Sequence, residues 1–122
     1  MAKTIMIVDD SASMRQVVGI ALKGAGYDVI EGRDGKDALS KLTGQKVHLI
    51  ISDVNMPVMD GIEFLKAVKQ MGPYKFTPIV MLTTESAEEK KRQGQAAGAR
   101  AWVVKPFQPE QLIGAVQKLC LP

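Results

Sequence analysis

Five side chains in this sequence have types and positions that suit shared chemistry: Asp9, Asp10, Asp53, Thr83 and Lys105. Each stands where a short apolar run gives out. Ile5-Met6-Ile7-Val8 precedes the paired acids, Leu49-Ile50-Ile51-Ser52 precedes Asp53, Ile79-Val80-Met81-Leu82 precedes Thr83, and Trp102-Val103-Val104 precedes Lys105. Such runs are too uninterrupted for strands with one wet face and read as buried strands of a parallel sheet. A charge at the end of a buried strand needs a partner. If these strands end side by side, the five groups form one site.

Crowded carboxylates resist ionising together unless a cation intervenes, and hard oxygen donors with open water positions suit Mg2+. With the metal, Asp53 stays ionised and nucleophilic while an incoming phosphoryl group is neutralised. Thr83 donates a hydrogen bond to one phosphoryl oxygen, and the Lys105 ammonium pairs with another. The reaction these roles compose is phosphoryl transfer to Asp53, giving an acyl phosphate.

Strand and helix patterns alternate five times along the chain. Thr4 to Val8 reads as a strand, followed by Met14, Val17, Val18, Ala21, Leu22 and Ala25 at helical spacing, with Ser13 and Gln16 as a cap and Gly24 and Gly26 as the stop. Asp28 to Glu31 reads as an edge strand, and Asp34 caps a helix holding Ala38, Leu39 and Leu42. Val47 to Ser52 is the third strand. A long loop then reaches Asp60-Gly61, and Ile62, Leu65, Val68 and Met71 stripe a helix that Gly72-Pro73 stops. Pro78 opens the fourth strand. Ser86 and Glu89 make a capping box, yet residues 88–95 hold no large apolar side chain and include Gly94, so this helix is the cheapest to displace. Ala101 to Val104 is the fifth strand, and Pro109 starts a last helix lined by Leu112, Ile113, Val116, Leu119 and Cys120.

This repetition predicts an α/β fold, a single doubly wound (βα)5 flavodoxin-like sandwich with parallel strand order 2-1-3-4-5. Its order reverses between strands one and three, the strands that end in Asp9-Asp10 and Asp53.

A chain of 122 residues with 46% hydrophobic content fits one domain. No run is long enough to span a membrane, there is no signal-peptide stretch, and the lone Cys120 has no internal partner; a cytoplasmic protein is expected. A net charge of +3, dispersed and without aromatic interleaving, argues against nucleic acid. Lys90-Lys91-Arg92 after Glu88-Glu89 reads as a solvated helix face with charge pairs at three and four residues, and as a candidate docking element for an acidic partner. His48 lacks a metal-ligand companion, and Met56 and Met59 read as loop packing.

Taken together, Asp9-Asp10, Asp53 with Met56-Pro57 and Asp60-Gly61, Thr83-Thr84, and Lys105-Pro106-Phe107, each after its own strand, resemble the motif set of bacterial response regulator receiver domains. The resemblance covers residues 1–122 as one receiver domain and is nearest in kind to stand-alone CheY-type chemotaxis regulators. It implies that Asp53 is the phosphoacceptor from a histidine kinase. Asp10 and Asp53 would bind magnesium directly with the backbone carbonyl of Asn55, and Asp9 through a metal-bound water. Thr83 and Lys105 would sense the phosphoryl group, and Lys105-Pro106 would be cis. Trp102 stands where the family places a Tyr or Phe whose rotamer reports phosphorylation, and Asn55 and Glu85 stand where side chains tune dephosphorylation. The implied output is the face of the fourth helix, fifth strand and fifth helix. Through it a monomer with no turned-over external substrate would control the flagellar motor switch or another relay partner.

Two other classes compete. A receiver fold could bind a partner constitutively, but the intact set of acids, threonine and lysine argues against it. A nucleotide- or flavin-binding domain or hydrolase lacks a Gly-x-x-x-x-Gly-Lys-Ser/Thr or Gly-x-Gly-x-x-Gly loop and an acid two places after Asp53.

Overall fold

Every apolar run becomes a strand in the computed structural model of the chain, which describes residues 2–120. The strands are β1 (Thr4–Val8), β2 (Asp28–Gly32), β3 (Leu49–Ser52), β4 (Ile79–Thr83) and β5 (Ala101–Val104). All pair in parallel, in the order β2-β1-β3-β4-β5 that the sequence predicts. The helices between and after them are α1 (Ala12–Gly24), α2 (Gly35–Lys41), α3 (Gly61–Lys69), α4 (Glu88–Ala97) and α5 (Pro109–Leu119).

Alternation along the strands divides the core into two layers. Ile5, Ile7, Leu49, Ile51, Val80 and Leu82 pack with Val18 and Leu22 of α1 and Leu112 and Val116 of α5. Met6, Val8, Ile50, Ile79 and Met81 face the other way, onto Ala38, Ile62, Leu65 and Val68 of α2 and α3. Burial on both faces explains the unbroken apolar runs.

Several local expectations fail for identifiable reasons. In α1 the cap is Ser11, not Ser13: Ser11 Oγ accepts from Met14 N at 3.2 Å, and Ser13 only meets the Ser11 hydroxyl. Val17 and Ala25 lie off the buried stripe, and Val17 is 52% exposed. Strand β3 starts at Leu49, because before it only one of the two pairing bonds is backbone: His48 N donates to Thr4 O at 2.8 Å, whereas Thr4 N donates to His48 Nδ1 at 3.0 Å. That places the proton of a neutral His48 on Nε2. Helix α3 ends at Lys69, so Met71 packs on the core from beyond it and Gly72-Pro73 opens a 3-10 turn (Gly72–Tyr74). In α4 the Ser86 capping box does not form. The helix begins too late for it, and Glu85 Oε2 accepts from Ala87 N at 3.2 Å instead.

Helix α4 is as weakly held as its composition suggests, with Gly94 its one buried residue. Of its expected charge pairs, Glu89 and Arg92 meet at 3.0 Å, three residues apart; Lys90 and Lys91 form none among the described residues. No helix among the described residues is long and apolar enough to cross a membrane.

Candidate functional site

The sheet register sets the site. Val8, Ser52 and Met81 lie side by side on β1, β3 and β4, so Asp9 and Asp53 leave the sheet at one level. Backbone bonds continue past the strand ends: Asp53 N donates to Val8 O at 2.9 Å, Asp9 N to Gly32 O at 3.1 Å and Lys105 N to Thr83 O at 2.8 Å. The chemistry-bearing residues therefore stand on fixed backbone rather than on free loop.

Each buried acid divides its two oxygens in the same way. Asp9 Oδ1 accepts from Ser11 N at 2.9 Å, and Asp53 Oδ1 accepts from Val54 N at 2.7 Å and Asn55 N at 3.4 Å. Their Oδ2 atoms face Lys105 Nζ, at 2.8 Å from Asp9 and 3.5 Å from Asp53. The side chains of Lys105, Asp9 and Asp53 are only 10%, 5% and 9% exposed. Charges this buried require such pairing. Asp10 is exposed and completes the cluster, since one oxygen from each of Asp9, Asp10 and Asp53 lies within 4.8 Å of the others.

The donor set fits a hard divalent cation. Octahedral oxygen ligands at about 2.1 Å lie roughly 3 to 4 Å apart, so a small closure of this triangle suffices for magnesium. Behind Asp53 the loop is pinched shut, because Gly61 N donates to Val54 O at 2.8 Å. A side chain at Gly61 would collide with the Asp53 carbonyl, which is why this position is glycine. Asp60 caps α3, accepting from Glu63 N at 2.8 Å. Asn55 is exposed at the mouth of the loop.

On the other wall, Thr83 is fully buried and its Oγ1 accepts from Glu85 N at 3.1 Å. The Glu85 carbonyl in turn accepts from Trp102 Nε1 at 2.9 Å. The indole is half-buried, already tied to the loop between β4 and α4, and lies on α4 where Gly94 leaves room for it. Lys105-Pro106 is cis, as the resemblance implies.

Two contributors escaped the sequence reading. Arg15 on α1 reaches back with its guanidinium, donating to the Asp9 carbonyl and pairing with Glu31 at 3.1 Å. Nothing in its local sequence marks it. Gly94 was visible only as a weak point in a helix; its role as a seat for Trp102 requires the tertiary packing.

Residues 5–117 match the family described as the response regulator receiver domain. This chain belongs to that family. A solved receiver, the chemotaxis protein CheY4 of Vibrio cholerae, superposes with a TM-score of 0.92 at 51% identity, covering 98% of this chain and 99% of that one. Protein PilG of Pseudomonas aeruginosa is 34% identical over 93% of this chain and 84% of its own length. The Bacillus subtilis alkaline phosphatase synthesis transcriptional regulatory protein PhoP is 38% identical over 98% of this chain, which spans 49% of that regulator. As a response regulator receiver domain, the chain is a component of two-component signalling.

Proposed function

We propose that this receiver, one domain over residues 1–122, accepts a phosphoryl group from a histidine kinase on Asp53 and passes its state to a protein partner through the face of α4, β5 and α5. One observation carries the reading: Asp53 has one oxygen fixed by backbone amides and the other, Oδ2, turned toward Lys105 Nζ in a crevice that two more carboxylates share.

In the transfer, Asp53 Oδ2 attacks phosphorus in line with the leaving imidazole of a phosphohistidine. The O–P bond forms as the P–N bond breaks, and the departing nitrogen keeps the electron pair and is protonated from water. Asp9, Asp10, Asp53 and the Asn55 carbonyl would hold magnesium, which supplies neutralising charge to the phosphoryl oxygens. Lys105 pairs with a phosphoryl oxygen in place of the Asp53 carboxylate. The Thr83 hydroxyl accepts from Glu85 N and keeps its own proton to donate to another phosphoryl oxygen. Movement of Thr83 is then felt by Glu85, and through the Glu85 carbonyl by Trp102. Asn55 and Glu85 flank the crevice and tune the access of hydrolytic water.

The likeness to a chemotaxis protein favours the flagellar motor switch as partner, with another relay as the alternative; a cytoplasmic monomer fits either. Lys90, Lys91 and Arg92 on α4 join the docking face, and reversing all three charges is expected to weaken partner binding. The deciding experiment is intact mass after incubation with a small acyl phosphate and magnesium. Wild type gains one phosphoryl group, the gain disappears with a chelator, and Asp53→Asn gains none. Equal phosphorylation of Asp53→Asn would move the acceptor elsewhere and overturn the reading.

A further inference from the structure

The pole of the sheet opposite the acids carries a second feature that phosphoryl chemistry does not use. Between the loop after α2 and the turn before β4 lies a cleft of about 310 Å3, walled by Lys46, Val47, His48, Pro73, Phe76 and Thr77. Phe76 is 80% exposed, and Lys75 places its ammonium 5.7 Å from the Phe76 ring centroid. Lys69 donates to the Thr77 carbonyl at 2.8 Å, and burial together with the nearby Arg100 pushes its pKa down from the usual lysine value. Among the residues that line the cleft, none is acidic.

Helix dipoles explain only part of this positive charge. In a parallel βα fold all helix C-termini gather at one pole, and Lys41, Lys69 and Lys118 in last turns answer them. Lys46 and Lys75 stand outside the α-helices, and Phe76 has no such electrostatic reason to be in water. A lone exposed aromatic beside a cleft of mixed polar and apolar walls, with Lys46 in its lining and Lys75 over the ring, is complementary to a negatively charged chain with one apolar anchor. The volume is at the small end for ligand sites and takes one or two side chains, not a stack of bases.

We propose that this cleft is a docking site for an acidic peptide segment, its anchor an aliphatic side chain against Phe76 and Pro73 and its carboxylates paired with Lys46 and Lys75. The site is distinct from the α4, β5 and α5 face and independent of Asp53. The test is an amide-shift titration of the full chain with a capped peptide of four glutamates around a central leucine, beside the same peptide with glutamines. Shifts are expected to cluster in residues 44–48 and 72–78, with binding at least tenfold weaker for the glutamine peptide and for K46E/K75E. Phe76→Ala is expected to weaken it similarly, and binding to Asp53→Asn is unchanged. All of these variants except Asp53→Asn keep phosphoryl uptake, so failure here is separable from failure of the acceptor assignment. Absence of binding at millimolar peptide, shifts centred elsewhere, or indifference to both Phe76→Ala and K46E/K75E overturns the proposal. Tighter binding of a single-stranded oligonucleotide to the same residues would also overturn it, assigning the surface to nucleic acid.

Discussion

Two glycines in helix interiors form a matched pair that tests the seating of Trp102. Gly94 in α4 is buried, and a Cβ placed there would lie 2.6 Å from Trp102 Cζ3 and 3.3 Å from Cε3. Gly114 in α5 has nothing within 4 Å of the same position. Alanine in either place gains about 0.8 to 1.0 kcal/mol of helix propensity. At Gly114 that gain stands alone, so Gly114→Ala is expected to be about 1 kcal/mol more stable than wild type. At Gly94 the ring cannot slide without giving up its bond to the Glu85 carbonyl. Overpacking costs roughly 1 to 3 kcal/mol and the hydrogen bond about 1 more, so after the propensity gain Gly94→Ala ends about 1 to 3 kcal/mol less stable. The gap between the two variants, about 2 to 4 kcal/mol, is read from urea unfolding followed by far-ultraviolet circular dichroism. Tryptophan emission supplies an independent reading, red-shifted in Gly94→Ala alone. If both variants gained equal stability with unchanged emission, the indole would not lie on α4, and the link from Thr83 through Glu85 to Trp102 would fail with it.

Removing the site's cation has a comparable logic: Lys105→Met strands Asp9 and Asp53 and is expected to cost about 3 kcal/mol at neutral pH. Adding Asp9→Asn to it should recover part of that loss in a double-mutant cycle, and strict additivity would contradict the pairing. Val58, in the loop after Asp53, has φ 71° and is 77% exposed, so Val58→Gly relieves a left-handed conformation while losing little burial. A melting temperature raised by a few degrees is expected; a lowered one would show the loop is not held that way. The Asp37 carboxyl is held below its ordinary value of 3.8, first by the Arg33 amide and also by Lys41 and Arg33 charges. A depressed carboxyl contributes stability that is full above the unfolded value and is lost as pH falls through the folded one. The deficit of Asp37→Asn should therefore be constant above about pH 5 and shrink below 3.8, in urea unfolding across that range.

Strand identity, order and the grouping of Asp9, Asp10, Asp53, Thr83 and Lys105 were legible because unbroken apolar runs admit few parallel arrangements and each run carried its polar residue at the same end. What the sequence hid were choices between local competitors. Ser11 and Ser13 are equally good caps in composition, and the path of the chain after Asp9, whose Oδ1 takes the Ser11 amide, decides between them. Ser86 lost its capping role because the neighbouring Glu85 is held at both backbone groups, by Thr83 two residues before it and by Trp102 seventeen residues on. Val17 shares the α1 periodicity but faces solvent, since a stripe narrower than the pattern touches the sheet. Arg15 gave no local sign of its reach to Asp9.

The glycine behind Asp53 makes the crevice mechanically lopsided. With Gly61 pressed against the Asp53 carbonyl and its amide fastened to Val54, the start of α3 and the proposed acceptor form a single stiff anvil. The facing wall is a hydroxyl, a short loop and a helix with one buried residue. On the proposed function, a phosphoryl group added between them would spend its push on the softer side. The direction in which a signal would then leave this molecule is set by the wall that is held fast.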